Sequence, residues 1–476
     1  MLNEDVIYLI MPHAYGGING VRQRLGYLSD LGVTALWLTP VMRSMSYHGY
    51  DITDYYDVDP RYGTLSDYKA LVKEAHEHGI KVIMDMVFNH CGSEHPWFRM
   101  PPEKDWFNGH DNGLISKPSM LTNYRLTTMV DPYASDYDKR QTVEGWFVKT
   151  MPDLNLRNKN LQKYFLRCTL WWIKQTGIDG IRMDTFPYAD REAMEKWMKA
   201  VHKRHPDFHI IGETWVTMPP FSAKMQEGEL DSPMDFALFE AFNYAKHEET
   251  LEPWSGLNRI YNVLCYDYLY PQPSRVMAFL DNHDVSRFAG DGKPFSTKVS
   301  NISVIMQMLA ILLTIPRIPQ IYYGTEVMMT GTTEKTDRNV RRNFPKRCLK
   351  QSARTPVEEE MHSFLSQLLA WRKGNSRLIT EGQMTQFLPF KGVYVYARTL
   401  KEKKSNGSCS RVVVIANGNN SPATFRPERY MEVLGDVKEA RDILSSKRIS
   451  LTKPLRLQPR QTMILAFPPV EGRKAS

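Results

Sequence analysis

The chain has 476 residues, 42% of them hydrophobic, with a net charge of +8 and a pI near 9.0. It is too long for one ordinary domain and suits a β/α barrel of about 250 residues enlarged by insertions, with a small domain beside it. Its basic residues are scattered, with no run of five or more, so the excess charge reads as a solvated surface and not a nucleic-acid footprint.

The opening Met1-Leu2-Asn3-Glu4-Asp5 is acidic and is not a signal peptide. A cytoplasmic location is the default expectation, or a periplasmic or secreted one if a leader has been removed. Val6 to Met11 is a near-continuous apolar run stopped by Pro12, the pattern of a strand buried on both faces. Gly20–Leu31 is predicted helical, closed by Gly32. Thr34–Pro40 is a second strand, Leu65–His78 a helix closed by Gly79, and Lys81–Val87 a third strand. This alternation predicts βα units around a parallel sheet.

From Phe88 to Arg157 the rhythm stops in a segment rich in Pro, Gly, Asn, Asp and aromatics, read as a small excursion domain (88–157) after strand three. It resumes with a helix at Leu161–Gln175, a strand at Gly180–Phe186, a helix at Arg191–Arg204 and strand five at His209–Trp215. A weaker strand six is expected at Met234–Phe239, strand seven at Ser274–Leu280, a helix at Val299–Ile315 and strand eight at Pro319–Tyr323. The apolar run 302–315 is too short to span a bilayer. Eight such strands predict a (β/α)8 barrel over 1–375. After a helix at Met361–Arg372, β-type runs at Gly392–Tyr396, Arg411–Ile415 and Thr462–Ala466 predict a C-terminal all-β sandwich over 376–476. Lys401–Gly407, charged and ending in Asn-Gly, reads as a solvated hairpin tip. The five cysteines are far apart and odd in number, so neither a disulfide framework nor a zinc site is expected.

In a β/α barrel the chemistry lies at the C-terminal ends of the strands. Those ends carry Asp85, Asn89 and His90, then Arg182 and Asp184, Glu213, and His283 and Asp284. On Gly180–Phe186 the alternation of side chains places Arg182 and Asp184 on one face. Three acids, Asp184, Glu213 and Asp284, would converge on one cleft, so at least one pKa should rise. Arg182 is expected to hold Asp184 ionised, which would separate a nucleophile from a proton donor, as glycoside hydrolysis needs. Tyr47, Tyr50, Tyr55, Phe186, Tyr188 and Trp215 offer flat rings for sugar faces, and several of them would instead pack the barrel rim.

Asp85-Met86-Val87-Phe88-Asn89-His90, Gly180-Ile181-Arg182-Met183-Asp184, Gly212-Glu213-Thr214-Trp215 and Phe279-Leu280-Asp281-Asn282-His283-Asp284 occur in that order, together with Tyr47-His48-Gly49-Tyr50 and Met151-Pro152-Asp153-Leu154-Asn155. With these motifs the chain resembles the α-amylase family, glycoside hydrolase family 13, and is most similar to its neopullulanase, cyclomaltodextrinase and oligo-1,6-glucosidase branches. The resemblance implies Asp184 as nucleophile, Glu213 as acid/base and Asp284 as transition-state stabiliser. It implies that His48, Tyr50, His90, Arg182 and His283 hold the sugar, with Trp215 at the cleft. The expected reaction is retaining hydrolysis of α-1,4 bonds, with tolerance of α-1,6 bonds, in starch-derived glucans, maltooligosaccharides, pullulan or cyclodextrins. A transglycosylase on the same site and a silent glucan-binding protein are the alternatives.

The sequence departs from this pattern in three places. The chain begins at the first barrel strand, without the N-terminal β domain of neopullulanase-type enzymes, so a monomer with an open groove is expected. The loop after Pro12 is short, and Arg342-Asn343-Phe344-Pro345-Lys346 lacks the glycines that usually follow Phe-Pro. Asn89 and Asp153 match calcium-binding positions of classical α-amylases, but two ligands are far from the six to eight that calcium takes. No cofactor is expected to be required. His76-Glu77-His78 lacks the spacing of a metal motif, and Gly16-Gly17-Ile18-Asn19-Gly20 is not a nucleotide loop.

Overall fold

A computed structural model describes residues 2–111, 114–290, 301–400 and 411–467. Eight parallel strands form, all but the sixth on the apolar runs read from the sequence: β1 (Ile7–Ile10), β2 (Ala35–Leu38), β3 (Lys81–Met86), β4 (Gly180–Met183), β5 (His209–Gly212), β6 (Ser232–Pro233), β7 (Met277–Phe279) and β8 (Ile318–Tyr322). They pair in the order β6-β5-β4-β3-β2-β1-β8-β7. A single parallel bridge between Met234 and Met277 closes the ring, with the Asp235 N–H donating to Met277 O at 2.8 Å. Apolar side chains of the strands and of the helices around them form one continuous core, as expected where a parallel sheet is covered on both faces.

The helices that frame β4 end where their sequences say they should. Asn158 caps Lys159–Thr176 by accepting from the N–H groups of Asn160 and Leu161, and Gly177 ends it in the left-handed region. Asp190 caps Arg191–His202. Their apolar faces grip β3 and β4 from outside: Phe88 stacks on Phe165 at 4.1 Å and meets Trp197 edge-on at 5.2 Å. The predicted helix at 20–31 is two short helices, Ile18–Arg22 and Leu25–Leu31.

Strand six is the clearest correction. Met234–Phe239 is not a strand: Asp235 caps a helix that runs from Phe236 to His247. A short apolar run fits a buried helix as well as a strand, and the cap decides which forms. A hairpin that the sequence reading missed, Met42–Ser44 with Ile52–Val58, carries His48 and Tyr50 at its tip. Gly49 between them has φ +88°, and a Cβ there would lie 2.8 Å from Pro40 O. Only glycine lets the turn lie this close to the barrel.

Residues 88–157 leave the barrel after β3 and return to it through bridges pairing His90 with Asp153 and Phe107 with Leu154. The C-terminal part is a six-stranded antiparallel sheet in the order 383–390, 393–399, 411–417, 462–467, 439–442, 448–450. Its outer strands were not read from the sequence, being short or largely polar. It has its own core and meets the barrel through contacts such as Thr314 Oγ1 to Tyr396 Oη at 2.5 Å. The expected hairpin tip at 401–407 and the start of the expected helix at Val299 lie outside the described residues.

Candidate active site

Arg182 is fully buried on β4 and collects the carboxylates of three strand ends. Its Nη1 donates to Asp184 Oδ1 at 2.7 Å and to Asp85 Oδ1 at 3.1 Å. Its Nη2 lies 2.6 Å from Glu213 Oε1 in an ion pair that is off the hydrogen-bond line. The other Glu213 oxygen accepts from Thr185 N–H at 2.8 Å. Thr185 holds φ +46°, ψ 34°, a left-handed conformation that is costly for a β-branched residue. Strain of this kind clusters at working sites, and here it aims an amide at Glu213. The guanidinium also lies over the Trp37 ring, 5.0 Å from its centre.

On the opposite wall, Asp284 is held by an arginine and a histidine. Arg341 Nη2 donates to Oδ1 at 2.7 Å, and His283 Nε2 lies 2.9 Å from Oδ2. Tyr50 Oη joins the walls, donating to Asp85 at 2.9 Å and meeting His283 Nε2 at 2.6 Å. The Tyr50 and His283 rings stack at 5.4 Å, and His48 stacks on Tyr50 at 6.0 Å.

The electrostatics follow from this layout. Burial pushes the carboxyls of Asp184 and Glu213 up to about 7, against the opposing charge of Arg182. Burial likewise lifts Asp85 to about 6. One guanidinium faces three carboxyls, so the cluster keeps a proton near neutrality, and that proton belongs to the group as a whole. Arg182 is expected from the sequence to hold Asp184 ionised; it lowers that carboxyl, but its charge is divided among three and burial outweighs it. Asp284 goes the other way: His283 and Arg341, with Arg182 further off, hold its carboxyl below the ordinary range. Burial keeps His90 neutral, lowered to about 4.

Together these residues line a cleft of about 460 Å³ that takes in Tyr50, His90, Asp184, Glu213, Trp215 and Asp284. Among the described residues the buried His90 Nε2 has no hydrogen-bond partner. Trp215 stands beyond the end of β5, 46% exposed, and stacks on Phe236 at 4.9 Å. Of the other aromatics named from the sequence, Tyr188 lines the cleft. Tyr55 is buried and donates to His90 O, Phe186 is buried, and Tyr47 donates to Asp337. Sequence reasoning missed Tyr124 and Phe147 of the excursion segment, both at the cleft, and Arg341. None belongs to a motif, and Arg341 comes 57 residues after the carboxylate it binds.

Asn89 and Asp153 do come together, but they satisfy each other. Asn89 Nδ2 donates to Asp153 Oδ1 at 3.0 Å, and Asn108 Nδ2 to Oδ2 at 2.9 Å. Burial raises the Asp153 carboxyl well above its usual range. A carboxyl already paired to two amide donors is a poor ligand for a hard cation that seeks six or more oxygens, so these residues do not fit a calcium site. Among the described residues no cluster of three or more His, Cys, Asp or Glu could hold a metal, and no helix is long and apolar enough to cross a membrane.

The family described as alpha amylase, catalytic domain, matches residues 10–378, and the cyclo-malto-dextrinase C-terminal domain matches 384–466. A cyclomaltodextrinase of Geobacillus thermopakistaniensis (strain MAS1) is 30% identical over 421 residues, 86% of this chain. An intracellular maltogenic amylase of Bacillus subtilis (strain 168) is 28% identical over 397 residues, 82% of this chain. The chain spans 63% of the length of the first and 60% of the second. Among solved structures, an alpha-amylase of Geobacillus thermoleovorans complexed with acarbose superposes with a TM-score of 0.80 at 28% identity, covering 98% of both chains.

Proposed function

Because this chain belongs to the α-amylase catalytic-domain family, we propose that it is a retaining glycoside hydrolase of α-glucans. The observation that carries this is the pair Asp184 and Glu213, 2.7 and 2.6 Å from neighbouring nitrogens of one guanidinium, with burial raising both carboxyls to about 7. Two carboxyls on one guanidinium support the roughly 5 Å spacing of retaining enzymes over the wider gap that an inverting water needs.

In the first step Asp184 Oδ attacks the anomeric carbon, while Glu213 gives its proton to the glycosidic oxygen and the leaving sugar departs as an alcohol. In the second, Glu213 takes a proton from water, the water oxygen bonds to the anomeric carbon, and Asp184 leaves as a carboxylate. Asp284, held ionised, faces the positive charge that develops at the ring. His90, neutral and with a free Nε2, is placed to bond a sugar hydroxyl, and Trp215 to stack on a sugar face. The substrate class is maltooligosaccharides, starch, pullulan or cyclodextrins, with α-1,4 and some α-1,6 cleavage. The chain acts as a monomer. The self-satisfied Asn89–Asp153 pair supports activity without calcium.

NMR of the earliest product from maltoheptaose tests the mechanism. The α-anomer is expected, and the β-anomer would overturn it. Initial rates on starch, pullulan and cyclodextrin, before and after chelation, and light scattering for mass test the rest. A rate that collapses on chelation or a stable dimer would each remove one part of the reading. Glucosyl transfer outpacing hydrolysis would favour the transglycosylase.

A further inference from the structure

The loop after β7 carries Asp284, and a separate segment, 331–341, carries the Arg341 that pairs with it. They are joined by Arg287. Buried to 3% exposure, Arg287 donates from Nε to Val340 O at 2.9 Å and from Nη1 to Tyr323 O. Its guanidinium lies over Tyr322, 3.7 Å from the ring centre, and its backbone N–H donates to Gly331 O at 2.9 Å. Val340 O also accepts from Tyr322 Oη at 3.1 Å. The carbonyl just before Arg341 is thus pinned by two side-chain donors. From that anchor Arg341 reaches His283 O at 2.7 Å, Asp284 at 2.7 Å and Asp337 at 2.6 Å.

We propose that Arg287 is a positioning residue that fixes the Arg341–Asp284 pair by locking the carbonyl of Val340 to the β7 loop. The proposal rests on the reading of Asp284 as part of the working site. Lysine cannot take this place, because its ammonium is a point charge with no planar fork to lie on a ring while reaching two carbonyls. The charged and titratable groups that face Asp284 are His283 of its own loop, Arg341 with Asp337, Arg182 and Asp184 of β4, Glu213 of β5, and His48 and Tyr50 of the hairpin. Of these, Arg341 is the one whose backbone Arg287 holds.

The experiment compares kcat and KM on maltoheptaose at pH 7 for wild type, R287K, R287M, R341M, R287M/R341M and Y322F, with thermal melts for each. In R287K and R287M a ten- to hundredfold loss of kcat/KM, carried by kcat, is expected. R341M should lose kcat by a similar factor, and the double variant no further. Y322F, which removes the second donor to Val340 O, should give a smaller loss of kcat and decides the case if the arginine variants do not fold. An unchanged kcat in the folded variants, or losses in R287M and R341M that multiply, would overturn the proposal. A wild type inactive on all α-glucans would overturn the functional reading instead. Melts then still read the pairing: D284N should lower the melting temperature less in R287K than in wild type at pH 7. An equal effect in both would overturn the positioning role.

Discussion

Two arginines, both fully buried and both bound to two or more carboxylates, do different work in this barrel. Arg317, just before β8, binds Asp235 at 3.0 Å through Nε and Asp267 at 2.6 Å through Nη2, and its Nη1 also reaches Pro273 O and Pro316 O. All three of its nitrogens have partners. Arg182 faces three carboxylates, and its Nε and Nη2 have no well-angled partner among the described residues. The first site is an ion network that joins β8 to the segments after β6 and before β7. Each cation faces more carboxylates than one charge can match, two at Arg317 and three at Arg182, and at the second the larger excess goes with carboxyls raised to about 7 and guanidinium nitrogens left without aligned partners. A buried ion pair is therefore weak evidence of function, and the size of the charge excess around it is the better sign.

The largest expected effect lies around Arg182. Asp184→Asn and Glu213→Gln should each lower kcat by about a hundredfold to ten-thousandfold, the scale of a lost positioned acid or base, with melting temperature little changed. Either variant turning over maltoheptaose near the wild-type rate would break the comparison. At Arg317 the pattern should reverse. Arg317→Met leaves Asp235 buried without its cation and should cost about 3–5 kcal/mol of stability, read by urea unfolding, while the folded fraction keeps its kcat.

The pH dependence sharpens the contrast. Glu213 is raised to about 7 in the fold, so the folded state binds its proton more tightly than the unfolded chain does. Its contribution to stability is present below the ordinary glutamate range and is lost as pH rises toward 7. Glu213→Gln should therefore gain on wild type in melting temperature from pH 4.5 to 7.5. The same proton predicts a basic limb of kcat/KM near 7. Asp284 has the opposite sign, its stabilisation being present at neutral pH and lost in acid, so Asp284→Asn should lose stability at pH 7. A flat difference for Glu213→Gln would mean that the proton is not there. The smallest effect belongs to an exposed pair: Arg191→Ala, which breaks an i,i+4 contact with Glu195 at 3.0 Å, should cost no more than about 0.5 kcal/mol.

The motifs around Asp85, Arg182, Glu213 and Asp284 were legible because strand periodicity and barrel geometry put strand-end residues in one place whatever the loops do. The apolar strands were legible too, being buried on both faces. What the sequence by itself determined was the barrel, the converging acids and the aromatic supply. Only the tertiary structure decided how the charges are divided. Arg341 reaches Asp284 because Arg287 and Tyr322 pin its backbone, and Arg182 is shared because β3, β4 and β5 end side by side. Tyr124 and Phe147 line the cleft because the excursion segment folds back through the Asn89–Asp153 pair. Each of these depends on residues brought together from distant parts of the chain, and local pattern carries no record of such contacts. The helix from Phe236 is different: its cap, Asp235, accepts from Leu238 N–H three residues on, a local signal that the sequence reading passed over.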